Sequence, residues 1–106
     1  MNNAEYLADV LRTAEGGDLT PVERISMMAL GLSGEAGEVA DIIKKEFYHF
    51  DPCGMDVLKE ELGDVLFYLT YLAYAHGITI EEVMTYNVAK RLKRYPNGFV
   101  KGGGIR

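Results

Sequence analysis

Two amphipathic segments joined by one short turn constrain this chain more than any other feature. From Thr20-Pro21-Val22-Glu23 a helical pattern runs to about Tyr48, Asp51-Pro52-Cys53-Gly54 turns the chain, and a second apolar pattern continues to Gly77. Ile25, Met28, Leu32, Ala36, Val39, Ile43 and Phe47 repeat with a period near 3.6, as do Leu58, Leu62, Val65, Leu69 and Leu72. So short a connection makes successive helices pack as an antiparallel hairpin.

Start and stop signals predict four helices and no strand. Asn2 with Glu5 opens a first helix carrying Leu7, Val10, Leu11 and Ala14, and Gly16-Gly17 stops it. Thr20 supplies an N-cap, Pro21 the favoured first helical position and Glu23 the reciprocal carboxylate of a capping box. Thr79-Ile80-Glu81-Glu82 opens a fourth helix through about Arg94, which Tyr95-Pro96-Asn97-Gly98 breaks. Residues 1–99 read as a single all-α domain, and the glycine-rich residues 100–106 as a flexible C-terminal tail.

Within this frame lie two acidic pairs, Glu35 with Glu38 and Glu61 with Asp64. Residues three apart on a helix point the same way, so each pair offers oxygen ligands of the kind a hard divalent cation takes. A solvated helix face would explain one such pair, but both pairs here border apolar stripes, with Tyr68 and Tyr71 following on the same side as Glu61 and Asp64. Like charges at the margin of a core raise one another's pKa and cost stability unless something positive sits among them. The hairpin brings the pairs to similar depth: at ~1.5 Å per residue, Glu38 lies ~15 Å before the turn and Asp64 ~12 Å after it. Gly34, Gly37 and Gly63 stand beside the acidic positions, where a missing side chain suits either a close ligand or tight helix packing.

The 106 residues carry a net charge of −5, which repels nucleic acid and anionic membrane. An anionic ligand therefore has to meet a bound cation or a local basic patch. Asn87, Lys90, Arg91 and Arg94 supply one, falling at i, i+3, i+4 and i+7 on one face of the fourth helix; for Arg91 and Lys93 complementing the helix dipole explains the charge equally well. Lys44 and Lys45 read as solvated. Tyr68, Tyr71 and Tyr74 suit base stacking or, more ordinarily, core contacts. The single cysteine, Cys53, excludes an internal disulfide framework and fits a reducing compartment. With no leader-like start and no apolar run of roughly 20 residues, the expected location is cytoplasmic. Apolar residues nearly all round the third helix imply burial on several sides, hence pairing with a second chain into a four-helix bundle.

Gly34-Glu35-Ala36-Gly37-Glu38-Val39-Ala40-Asp41 followed by Glu60-Glu61-Leu62-Gly63-Asp64-Val65-Leu66 resembles the E-x-x-E and E-x-x-D signature of MazG-like nucleotide pyrophosphohydrolases, members of the all-α NTP pyrophosphatase superfamily. Asn87 to Pro96 is similar to the basic stretch that contacts phosphates in such enzymes, and Gly34 stands where the family often has a further glutamate. The resemblance covers about residues 30–99. It implies hydrolysis of a nucleoside triphosphate to the monophosphate and pyrophosphate, with Mg²⁺ (or Mn²⁺ in its place) as cofactor, in a homodimer or homotetramer. It also implies Glu35, Glu38, Glu61 and Asp64 as metal ligands, with Asn87, Lys90 and Arg94 on the phosphates. On this reading a metal-activated water attacks the α-phosphorus and Glu38 is the candidate proton acceptor; Cys53, His49 and His76 suggest no nucleophilic catalysis. The alternatives are a phosphoribosyl-ATP pyrophosphohydrolase of the same superfamily, a di-iron protein built on Glu46 and His49, and a non-catalytic helical interaction module.

Overall fold

The computed structural model describes residues 1–48 and 54–99. It contains α1 (Asn3–Ala14), α2 (Pro21–Tyr48), α3 (Met55–Ala75) and α4 (Ile80–Arg94). No strand forms among the described residues; Pro96 and Gly98 make an isolated bridge. The expected tail, His49, Cys53 and most of the turn between α2 and α3 lie outside the described residues.

The helix starts form as their sequences dictate. Asn2 Oδ1 accepts from the Glu5 amide at 2.9 Å. At α2, Thr20 Oγ1 accepts from the Glu23 amide at 3.2 Å while Glu23 Oε1 accepts from the Thr20 amide at 3.0 Å. These bonds, the backbone one foremost, hold the Glu23 carboxyl below its usual pKa. The same reciprocal pair, Thr79 with Glu82, opens α4. Each such cap is worth about 1 kcal/mol. Gly17 and Gly77, at φ 79° and 72°, carry the chain out of α1 and α3 through the left-handed region. Arg24 of α2 reaches back to donate to the Ala14 and Gly16 carbonyls, satisfying acceptors that the end of α1 leaves free.

α2 and α3 share the largest helix interface, α1 lies against α3, and α4 touches α3 only lightly. Val10, Ala14, Met28 and Tyr71 form the buried core, with Tyr6, Leu11, Phe67, Tyr68, Leu72 and Ala75 packed around it. The expected face of α1 is therefore the buried one, and the α2 stripe is buried at Met28 but exposed at Ile43 and Phe47.

α3 departs further from expectation. Leu62 and Leu69, placed in its core stripe by periodicity, are 49% and 38% exposed, while Tyr71, Thr70 and Ala73 are buried. A helix apolar on nearly every side has no periodicity that selects one face; α1 and α2 select it by where they pack. The close approach between helices is also not at Gly34, Gly37 or Gly63, where a Cβ would meet nothing within 4 Å. It is at Gly31, where a Cβ would lie 2.3 Å from the Tyr68 ring. That ring is held edge-on to Phe67, centroids 5.2 Å apart.

Candidate metal centre

Gly31 and Glu35 are one helical turn apart, so the seating of Tyr68 against Gly31 brings the next turn of α2 level with the acidic turn of α3. There Glu35, Glu61 and Asp64 each place a carboxylate oxygen within 4.8 Å of the others. Glu35 and Glu61 are half-buried and Asp64 is exposed. Thr70, nine residues beyond Glu61, points away from this site by helical geometry, and the carboxylates share the α3 side that carries Tyr68 and Tyr71.

Glu38 is not one of the three. It lies a turn beyond Glu35, about 5.4 Å further along α2, and is exposed to solvent. Glu38 nevertheless acts on the site electrostatically. The Glu61 carboxyl is pushed above its usual pKa by desolvation, a hydrogen bond with Glu35, and the charges of Glu35, Asp64 and Glu38. Protonation of Glu61 is one answer to such crowding, and a divalent cation among the carboxylates is the other. Three carboxylates from two helices form an oxygen donor set that could hold a divalent cation, with Asp64 on its exposed side.

The raised Glu61 value has a measurable consequence. A carboxyl whose folded pKa exceeds its unfolded one stabilises the fold below the unfolded value and loses that contribution as pH rises through the folded value. The metal-free protein should therefore lose melting temperature, relative to a Glu61→Gln variant, as pH climbs through and above the ordinary carboxylate range. Millimolar Mg²⁺ should abolish the difference. Glu23, with its lowered pKa, acts in the opposite sense at lower pH and cancels in the comparison. A wild-type melting curve parallel to that of Glu61→Gln throughout would refute the crowding.

Asn87 and Lys90 are exposed and Arg94 half-buried on α4, which buries no residue fully. No hydrogen bond or ion pair among the described residues links them to Glu35, Glu38, Glu61 or Asp64. Asn87 Oδ1 instead accepts from Arg91 Nε at 2.9 Å. Lys45 is exposed, as expected, and pairs at the surface with Asp41 at 2.9 Å. Tyr71 belongs to the core, Tyr68 packs on Gly31, and Tyr74 is partly exposed beside a cavity of about 330 Å³ bordered by Leu7, Thr70 and Ile80. A second cavity of about 460 Å³, lined by Arg91, Leu92, Tyr95 and Phe99, lies at the end of α4. Both cavities are separate from the carboxylates.

Two contributors escaped the sequence reading. Gly31 was legible in principle, being four residues before Glu35 and so on its face of α2. Tyr6, whose hydroxyl reaches the Gly63 carbonyl from α1 at 3.5 Å, had no local signal, because the contact spans 57 residues of sequence.

Residues 23–99 match the family model described as the MazG nucleotide pyrophosphohydrolase domain. The chain is 35% identical over 92 residues to the Gene 37 protein of Mycobacterium phage L5, an alignment covering 83% of this chain and 81% of that one. No solved structure matches.

Proposed function

This chain belongs to the MazG nucleotide pyrophosphohydrolase family, and we propose on that premise that it hydrolyses a nucleoside triphosphate to the monophosphate and pyrophosphate in a Mg²⁺-dependent reaction. The observation that carries this reading is the convergence of Glu35, Glu61 and Asp64 from two helices. Mg²⁺ held there would offset charge on the phosphate oxygens and acidify a water. The chain's own part is to fix the carboxylate oxygens before substrate arrives, and to supply a proton acceptor beside them. Glu38 suits that second task, being close enough to influence Glu61 yet outside the converging trio. Asn87, Lys90 and Arg94 hold the β and γ phosphates, countering their charge in an otherwise acidic protein. For this α4 must close over the carboxylates or come from a second chain.

Assembly follows the same logic. Gly31 faces Tyr68 and Glu35 meets Glu61; numbering that rises along α2 while it falls along α3 supports the antiparallel hairpin. Leu62, Leu66 and Leu69 leave an apolar strip on α3, and Met27 and Leu30 are exposed on α2. Covering them supports pairing of two hairpins into a four-helix bundle, and a monomeric mass by light scattering would count against it. No helix is long and apolar enough to cross a membrane among the described residues, which fits a cytoplasmic enzyme acting on small nucleotides.

A panel of ribo- and deoxyribonucleoside triphosphates with Mg²⁺, together with phosphoribosyl-ATP, tests the reaction. Pyrophosphate is the expected first product, with hydrolysis abolished by EDTA and restored by Mg²⁺ or Mn²⁺. Orthophosphate as first product would move the cut away from the α-phosphorus and undo the phosphate assignments.

A further inference from the structure

The family match begins at residue 23 and so assigns nothing to α1, yet α1 lies against the acidic stretch of α3. The Tyr6 hydroxyl donates to the Gly63 carbonyl at 3.5 Å, and Gly63 stands between Glu61 and Asp64. A phenol is a neutral donor at ordinary pH. Its base is firm: α1 buries Val10 and Ala14 in the core, and Arg24 clamps its last carbonyls.

We propose that Tyr6 is a positioning residue of the carboxylate site, its hydroxyl anchoring the turn of α3 that presents Glu61 and Asp64. This rests on the reading that the site binds a divalent cation. Crowded carboxylates repel one another, and a backbone anchor between Glu61 and Asp64 opposes their splaying before a cation arrives. The residue type suits the task. A lysine or arginine in the same place would bring a positive charge that competes with the cation, whereas a phenol supplies a hydrogen bond without charge. Among the described residues, Tyr6 is the side chain outside α2 and α3 that hydrogen-bonds to this stretch.

Tyr6→Phe keeps the ring and removes only the hydroxyl. Titration calorimetry with Mn²⁺ should show affinity about tenfold weaker than wild type, the scale expected when a group that orients metal ligands is lost. The metal-free melting temperature should fall only slightly, as losing one long hydrogen bond implies, and raising Mg²⁺ should restore kcat, so that the defect lies in the metal requirement. Unchanged Mn²⁺ affinity in Tyr6→Phe, with wild type binding normally, overturns the proposal. So does a defect in kcat that saturating Mg²⁺ fails to restore, which would make Tyr6 a packing residue. No Mn²⁺ uptake by the wild type would instead defeat the metal-site reading itself.

Discussion

Replacing Glu61 by glutamine should lower kcat/KM for triphosphate hydrolysis on the order of 10³-fold, the loss expected when a metal that contributes several kcal/mol of charge stabilisation is no longer held. Glu61 is the carboxylate on which the site converges: desolvation, then Glu35 and the charges of Asp64 and Glu38 push its carboxyl up. Glutamine preserves size and removes the charge, so the defect is in metal retention and not in packing. The same substitution should leave the metal-free protein at least as stable as wild type above the ordinary carboxylate range, because it removes repulsion. It should also erase the rise in melting temperature that Mg²⁺ gives the wild type. Opposite signs for activity and metal-free stability distinguish a functional carboxylate from a structural one. Glu61→Gln with hydrolysis within a few-fold of wild type and intact Mg²⁺ protection would refute the assignment.

The second large effect is at Gly31, where the same chemical change should act in opposite directions at two glycines of one helix. In a helix interior, glycine to alanine gains up to about 1 kcal/mol of propensity. Gly34→Ala meets nothing within 4 Å and should collect that gain. At Gly31 the added methyl would lie 2.3, 2.5 and 2.8 Å from Tyr68 Cε1, Cζ and Cδ1. The ring cannot retreat freely, being edge-on to Phe67 and packed on the core. Overpacking of this kind costs typically 1–3 kcal/mol, enough to outweigh the propensity gain, and each net 1 kcal/mol lowers the melting temperature of a domain this size by roughly 4–8 °C. Activity should fall as well, since displacing α2 from Tyr68 also moves Glu35, one turn on, away from Glu61 and Asp64. Adding Tyr68→Ala should recover part of the loss, a coupling that a double-mutant cycle measures directly. Equal melting shifts for Gly31→Ala and Gly34→Ala would show that the helices do not meet at position 31.

Local signals carried most of the architecture. Thr20 with Glu23 and Thr79 with Glu82 are capping boxes that draw on residues three apart, so they act before any tertiary contact exists, and the helices begin where they stand. That Glu61 and Asp64 share a face of α3 was legible for the same reason, because spacing along a helix decides which side chains lie together. The buried face of α3 was not legible, since Leu62, Leu66 and Leu69 are as apolar as the residues that were covered. The basic face of α4 could be read as a face, but its distance from the carboxylates could not.

Sequence by itself thus determined the helices, their ends and the residue types able to hold a divalent cation, all properties set within one or two helical turns. Only the tertiary structure decided that Glu35, ahead of Glu38, meets Glu61 and Asp64, that Gly31 seats the Tyr68 ring, and that Tyr6 reaches the acidic turn from α1. Those three are matters of register between helices, where a shift of one turn exchanges one carboxylate for another at almost no cost in local energy, so only packing of the whole chain selects among them.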